Sequence, residues 1–154
     1  MTDLARCEPS PEAVGAALRS LVGWKLFTVM ALDPARAEAA RVHTSDPDAY
    51  PVGGRKPLGA LTWWGEHVLK ARRPWIGRDA EDIRRAFPDH ETIAALGCAS
   101  CLNVPVVEGG TVLGTVNLLD EAGRYEAHHA GIVAPYADLL RAPLRRWAAS
   151  SSDR

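Results

Sequence analysis

The 154 residues are enough for one domain with its own core, and 47% hydrophobic with 24% charged residues is the balance of a folded globular protein. A net charge of −1 excludes a bulk electrostatic pull toward nucleic acid or an anionic membrane, and no apolar run approaches the roughly 20 residues that cross a bilayer. The opening MTDLARCEPSPEA lacks the apolar stretch of a secretion signal, and three cysteines make no disulfide framework, so the cytoplasm is the expected compartment.

Residues 1–9 read as a flexible tail. Ser10-Pro11-Glu12 opens a helix, with Ser10 as N-cap and Pro11 at the first helical position; Val14, Leu18, Leu21 and Val22 share one face and Gly23 ends it. Trp24–Leu32 reads as a strand, Asp33-Pro34 as a turn and Ala37–Thr44 as a second strand. Ser45–Leu61, with three prolines and three glycines, reads as a long loop, the kind that is functional or mobile. Thr62 caps a helix over Trp63–Ala71, Pro74-Trp75-Ile76 forms a short strand, Asp79 caps Ala80–Phe87, and a short helix His90–Leu96 closes at Gly97.

From Gly97 to Asp120 the chain reads as a β-hairpin: SCLNVPVV and TVLGTVNLL are joined across Gly109-Gly110, which supplies the positive φ angles of a tight turn. Pro105 makes the first strand an edge or locally irregular, and Gly114 lets a neighbouring element come close. Uninterrupted pairing from that turn puts Ser100, Leu102, Val104, Val106, Leu113, Thr115, Asn117 and Leu119 on one face. Cys101, Asn103, Pro105, Val107, Val112, Gly114, Val116 and Leu118 fall on the other, with Cys101 and Asn103 open to a shift at Pro105. Glu126–Ala149 reads as the longest helix, kinked where Pro143 falls in its interior, and 149–154 as a second flexible tail. No internal repeat or linker is present, so one domain over 10–148 is expected.

The element order over residues 10–148, the hairpin with its Val104-Pro105, turn and Gly114-x-Val116-x-Leu118, and the helix, Arg73-Pro74, short-strand run from Thr62 to Trp75 together resemble a GAF domain. The resemblance implies an α/β (α+β) fold. A central antiparallel sheet of five to six strands would carry the N- and C-terminal helices on one face, with the 45–96 helix and loop segment forming a pocket on the other. It implies a sensor or regulatory domain that binds a small organic ligand non-covalently and acts on a signalling partner protein or, as an alternative, a dimerisation and interaction module. In either case a homodimer through the terminal helices is expected, with Leu18, Leu21, Leu140, Leu144 and Trp147 as candidates that equally suit covering the sheet. No cofactor and no metal are implied, nor contact with nucleic acid or membrane.

Within that frame the polar trio Ser100, Thr115 and Asn117 marks the pocket face, since buried polar groups need partners that a ligand or the protein itself supplies. Tyr50, Trp64 and Trp75 offer aromatic walls and His67 a polar anchor, although each also suits a plain core or surface role. Arg55 and Lys56 beside Gly53 and Gly54 add a weaker anion-binding option. Cys98-Ala-Ser-Cys101 is the alternative centre, for a thiol-dependent redox enzyme or sensor; the pair follows a helix C-terminus, the wrong pole for a thiolate, so buried apolar thiols are the plainer reading.

Known catalytic branches of the resembled family fit poorly. Free methionine-(R)-sulfoxide reductases carry a glutamate four positions before the strand proline, where Cys101 stands, and acids three and five positions after the strand glycine, where Asn117 and Leu119 stand. The cyclic-nucleotide signature Asn-Lys-x-x-x-Phe-x-x-x-Asp-Glu lacks its lysine and acidic pair in the run from Asn117 to Tyr125. Residues 45–96 hold no cysteine for a covalent bilin.

Overall fold

The computed structural model describes residues 4–57 and 62–152. Residues 1–3 of the expected N-terminal tail, 58–61 of the expected loop, and 153–154 of the C-terminal tail lie outside the described residues. A six-stranded, wholly antiparallel sheet organises the chain: β1 (Leu26–Asp33), β2 (Glu38–Thr44), β3 (Arg55–Pro57), β4 (Trp75–Gly77), β5 (Ser100–Glu108) and β6 (Thr111–Asp120), in the spatial order β3-β2-β1-β6-β5-β4. Helix α1 (Pro11–Leu21) starts as expected: the Ser10 side chain accepts from the Ala13 N–H, and Pro11 loses nothing where its missing N–H has no helical partner.

Three expectations need correction. The 45–61 loop contains an edge strand, β3, whose Arg55, Lys56 and Pro57 pair with Ala40, Ala39 and Glu38; Pro57 is tolerated there because an edge strand leaves one side unpaired. The helix capped by Thr62 begins as α2 (Trp63–Gly65) but widens into a π turn over Glu66–Lys70. The long C-terminal helix is two helices, α5 (Ala127–Asp138) and α6 (Arg141–Ser152). Pro143 has no N–H to donate to the Leu139 carbonyl, so the chain breaks at Leu139–Leu140 and restarts with Pro143 in the first turn of α6. Since α6 runs to Ser152, the expected C-terminal tail is helical from 149 to 152. Helices α3 (Ala80–Ala86) and α4 (His90–Ala95) form as expected, with the Asp79 side chain accepting from the Asp82 N–H.

The hairpin turn pairs Glu108 with Thr111 and Val107 with Val112, as expected, but the ladder then slips: Val106 pairs with Gly114, leaving Leu113 as an extra residue in β6. A single extra residue inverts the faces of everything beyond it on one strand relative to the other. The β6 assignments survive from Gly114 onward and those for β5 reverse, while Leu113, expected on the face of Thr115 and Asn117, packs against the helix-side core instead. Leu102, Val104 and Val106 join Val116 and Leu118 in a core with Val14, Leu18, Phe27, Val133, Leu140 and Leu144, under α1, α5 and α6. Cys101, Asn103 and Pro105 lie instead on the face of Thr115 and Asn117. Gly114 sits where a Cβ would collide with the Met30 carbonyl oxygen of β1 and crowd the Leu144 methyl of α6, so glycine is required by that close approach.

Candidate functional site

The face turned away from the terminal helices carries an unusual row of polar side chains at the centre of the sheet. Thr28 (3% exposed) on β1 sits across from Asn117 (7%) on β6, which sits across from Asn103 (3%) on β5. The Asn117 amide Nδ2 donates to Thr28 Oγ1 at 3.2 Å, and Asn103 Nδ2 donates to Asn117 Oδ1 at 2.9 Å. Trp64 Nε1, at the start of the covering segment, donates to Asn103 Oδ1 at 3.0 Å. Thr115 (2%) lies two residues along β6 on the same face, across from Met30.

Next to this row lies a charged cluster. Met30 pairs with Arg41 of β2, because an extra residue, Val42, is accommodated between Arg41 and His43. Arg41 is 5% exposed and its guanidinium carbon stands 3.4 Å from the centre of the Tyr50 ring. The Tyr50 hydroxyl donates to Asp89 Oδ2, and Lys56 Nζ lies 2.8 Å from that carboxylate and 3.0 Å from the hydroxyl. Burial pushes the Tyr50 hydroxyl's pKa up, partly opposed by Lys56 and reinforced by Asp89. Burial also pushes the Asp89 carboxyl up, but the Lys56 charge and the hydrogen bonds from Lys56 and Tyr50 outweigh it and hold Asp89 below the usual carboxylate range.

Of the expected ligand-binding residues, the structure brings Tyr50, Trp64, Trp75, Thr115 and Asn117 to this side of the sheet. Trp75 belongs to an aromatic chain in which its ring meets Trp63 at 5.2 Å and Phe87 at 6.0 Å, while Phe87 meets Trp64 at 5.8 Å. His67 is turned back on its own segment, with Nε2 at 2.8 Å from the Pro74 carbonyl, so it braces the turn that leads into β4. Ser100 is on the other face and hydrogen-bonds the Asp120 and Glu121 carbonyls; its expected kinship with Asn117 is undone by the slip in the ladder. Sequence reasoning missed Thr28, Arg41, Asn103 and Asp89. The available signal was a polar residue inside an otherwise apolar strand, as in Leu102-Asn103-Val104, read with the correct face.

Cys98 and Cys101 are free and buried. Burial, with the nearby Asp120 charge, pushes the Cys98 thiol up to about 11, and burial pushes Cys101 up to about 12. Neither is a thiolate near neutral pH, and this opposes thiol chemistry at the pair. Among the described residues no group of three or more His, Cys, Asp or Glu side chains could hold a metal ion.

Two cavities lie on the helix-bearing side. An open groove of about 570 Å³ is lined by α1, Trp24, Phe27 and His43, and one of about 180 Å³ lies among Pro11, Val29, Val42, Leu140, Pro143, Leu144 and Trp147. On the opposite side, the polar row meets its own cover through Trp64, and the neighbouring Arg41 meets it through Tyr50.

A family model described as GAF domain matches residues 11–142. Three solved structures are similar in fold. They are the GAF domain of a two-component sensor histidine kinase from Bacillus halodurans (15% identity, 91% of this chain and 94% of that one, TM-score 0.71), the GAF domain from a phosphoenolpyruvate-protein phosphotransferase of Coxiella burnetii (18%, 99% and 88%, 0.70), and the free methionine-R-sulfoxide reductase of Neisseria meningitidis in complex with its substrate (17%, 96% and 84%, 0.64). No curated protein matches the chain significantly. At these identities the structural likeness concerns the fold alone.

Proposed function

The chain belongs to the GAF domain family, and from that membership we propose that it is a regulatory domain of a signalling system which holds a small organic ligand non-covalently between the polar face of its sheet and the 45–96 segment. One observation carries the reading: the centre of the sheet, where apolar side chains would give the most stability, holds Thr28, Asn103, Thr115 and Asn117 instead. Thr28, Asn117 and Asn103 hydrogen-bond one another in the ligand-free protein, and an amide can exchange such a partner for a ligand at little net cost. Trp64, Trp75 and Phe87 supply flat apolar walls beside them.

In the same proposal the domain works in the cytoplasm through a protein partner and as a homodimer through α1 and α6. Leu18, Leu140 and Leu144 are buried in the chain's own core and do not serve such an interface. Leu21, at 36% exposure, and the half-buried Trp147 remain for it. Sedimentation tests this: a monomer at tens of micromolar, an order-of-magnitude working concentration for a weak dimer, removes the dimer from the proposal.

The ligand reading is tested by thermal-shift screening with a small-molecule library. A binder selective for the folded state raises the melting temperature, and Asn117→Ala abolishes the rise. A confirmed binder whose effect is unchanged by Asn117→Ala moves the site elsewhere.

A further inference from the structure

Two polar atoms of the cluster beside the polar row are buried with no hydrogen-bond partner, the acceptor Asp89 Oδ1 and the donor Nε of Arg41. Arg41 is 5% exposed, and of the two side chains it alone has no ion pair among the described residues. Its Nη1 donates to the Pro51 carbonyl at 2.8 Å, its plane lies against the Tyr50 ring, and its Nε–H is buried with no hydrogen-bond partner. A buried guanidinium with an empty donor edge is costly for a protein that has no use for it.

The surroundings hold that edge in place. The loop after β2 is tied to the Arg41 backbone, whose N–H donates to the Gly54 carbonyl and whose carbonyl accepts from the Gly53 N–H. This sets the Pro51 carbonyl, the Tyr50 ring and Gly54, where a Cβ would collide with Nη1, around the guanidinium. The guanidinium is therefore fixed on three sides before any ligand arrives, the condition under which a planar donor fork binds a carboxylate or phosphate with least loss of freedom. Charge balance points the same way. Arg41 and Lys56 are two cations gathered around Tyr50, Asp89 is the one carboxylate ion-paired or hydrogen-bonded to any of the three among the described residues, and one positive charge is left over. Lys56 is committed to Asp89, so the surplus resides at Arg41.

We propose that Arg41 recognises an anionic head, a carboxylate or a phosphate, on the small molecule held against this face of the sheet, with Tyr50 as the stacking partner that keeps the guanidinium in plane. The inference rests on the ligand site proposed above and adds the charge class of its occupant. Sequence reasoning had offered Arg55 and Lys56 for an anion; Arg55 is instead paired with Asp33 and Glu38.

The experiment compares benzoate and phenyl phosphate with neutral benzamide at matched ionic strength. It uses thermal unfolding of the wild type, Arg41→Met and Arg41→Lys, together with the arginine Nε–H resonances of the wild type by NMR. At least one anion is expected to raise the melting temperature of the wild type by about 3 °C or more over benzamide. The rise should fall below about 1 °C in Arg41→Met and lie between the two in Arg41→Lys. The Arg41 Nε–H signal should shift and exchange more slowly with solvent when that anion is added. A larger shift with benzoate identifies a carboxylate head, and one with phenyl phosphate a phosphate head. If Arg41→Met fails to fold, the Nε–H signal and Arg41→Lys decide. Equal stabilisation of all three proteins, an unmoved Arg41 Nε–H signal, or no effect of either anion overturns the inference. Benzamide or a library compound binding with no preference for charge overturns it while leaving the ligand site standing, whereas no binder of any kind removes both.

Discussion

The two faces of one sheet have been built to different rules. Phe27 and Thr28 are neighbours in β1, and alternation sends them to opposite sides. Phe27 enters an apolar layer with Val14, Leu18, Val104, Val116 and Leu118, sealed by α1, α5 and α6. Thr28 enters a layer of amides, a hydroxyl row and a buried arginine, covered by loops, short helices and aromatic rings. An apolar layer gains from every methylene buried, while a polar layer at best breaks even against water. The helix-bearing face therefore carries the larger share of the stability. The other face, where a smaller apolar cluster of Leu26, Ile83, Ile93, Cys101 and Leu119 holds the cover on, has its polar centre free to carry specificity.

The largest effect that tests this division is Phe27→Ala. Phe27 is fully buried and meets Trp24 at 5.6 Å and His43 at 5.7 Å between ring centres. Its truncation is expected to cost about 3–5 kcal/mol, read by urea unfolding. Thr28→Val, one residue along, should cost about 1 kcal/mol, the loss of one acceptor for Asn117. Equal costs at the two positions would erase the distinction between the faces.

A smaller effect comes from within the polar face. Asn117→Leu leaves Thr28 and Asn103 each short of a partner, and Asn103→Leu does the same to Asn117 and to Trp64 Nε1. Each single change should cost about 1–3 kcal/mol, but the double change should cost less than the sum, by a coupling of at least about 0.5 kcal/mol. Strict additivity in that cycle would show that the amides act separately and that the row is no connected network.

The buried thiols set a pH signature for the same face. The folded-state pKa values of Cys98 and Cys101 are raised, to about 11 and about 12. The stability linked to them is complete below the unfolded thiol pKa of about 8.5, and it is lost as pH rises toward those folded values. Cys101→Ala should flatten the fall in unfolding free energy between about pH 9 and 11 by up to about 1.4 kcal/mol per pH unit, one proton's worth. Alkylation at pH 8 should label the half-buried Cys7 first. Rapid labelling of Cys98 or Cys101 in the folded protein would reopen thiol chemistry there.

How far the sequence could be read follows from which signals are local. Ser10-Pro11, Asp79 and Gly109-Gly110 act on backbone groups within a few residues, and each of those boundaries was legible. The faces of β6 beyond Gly114 were legible from their own residues, a glycine for close packing on one side and the polar Thr115 and Asn117 on the other. The faces of β5 were not, because nothing local marks the extra residue at Leu113, which lies beside Gly114 where Met30 and Leu144 approach from distant parts of the chain. That slip placed Ser100 in the expected site and kept Asn103 ambiguous. Arg41 was hidden by the same device: the extra Val42 in β2 sends Arg41 and His43 to opposite faces, where plain alternation puts them together.

Val42 also offers the smallest and most discriminating test. It is displaced from the ladder toward α6 and lines the cavity of about 180 Å³ with Val29, Leu144 and Trp147. Val42→Ile adds one methyl group to a space that can take it and keeps the branching that suits a strand. The expected gain is about 0.5–1 kcal/mol, seen as a higher urea midpoint with an unchanged slope. Because Arg41 lies on the other face, the variant should leave the anion response untouched. A variant that gains stability and keeps its response confirms that the faces can be tuned separately. One that gains stability and loses its response shows that the extra residue in β2 couples them, since the backbone displacement that seats Val42 is the one that aims Arg41.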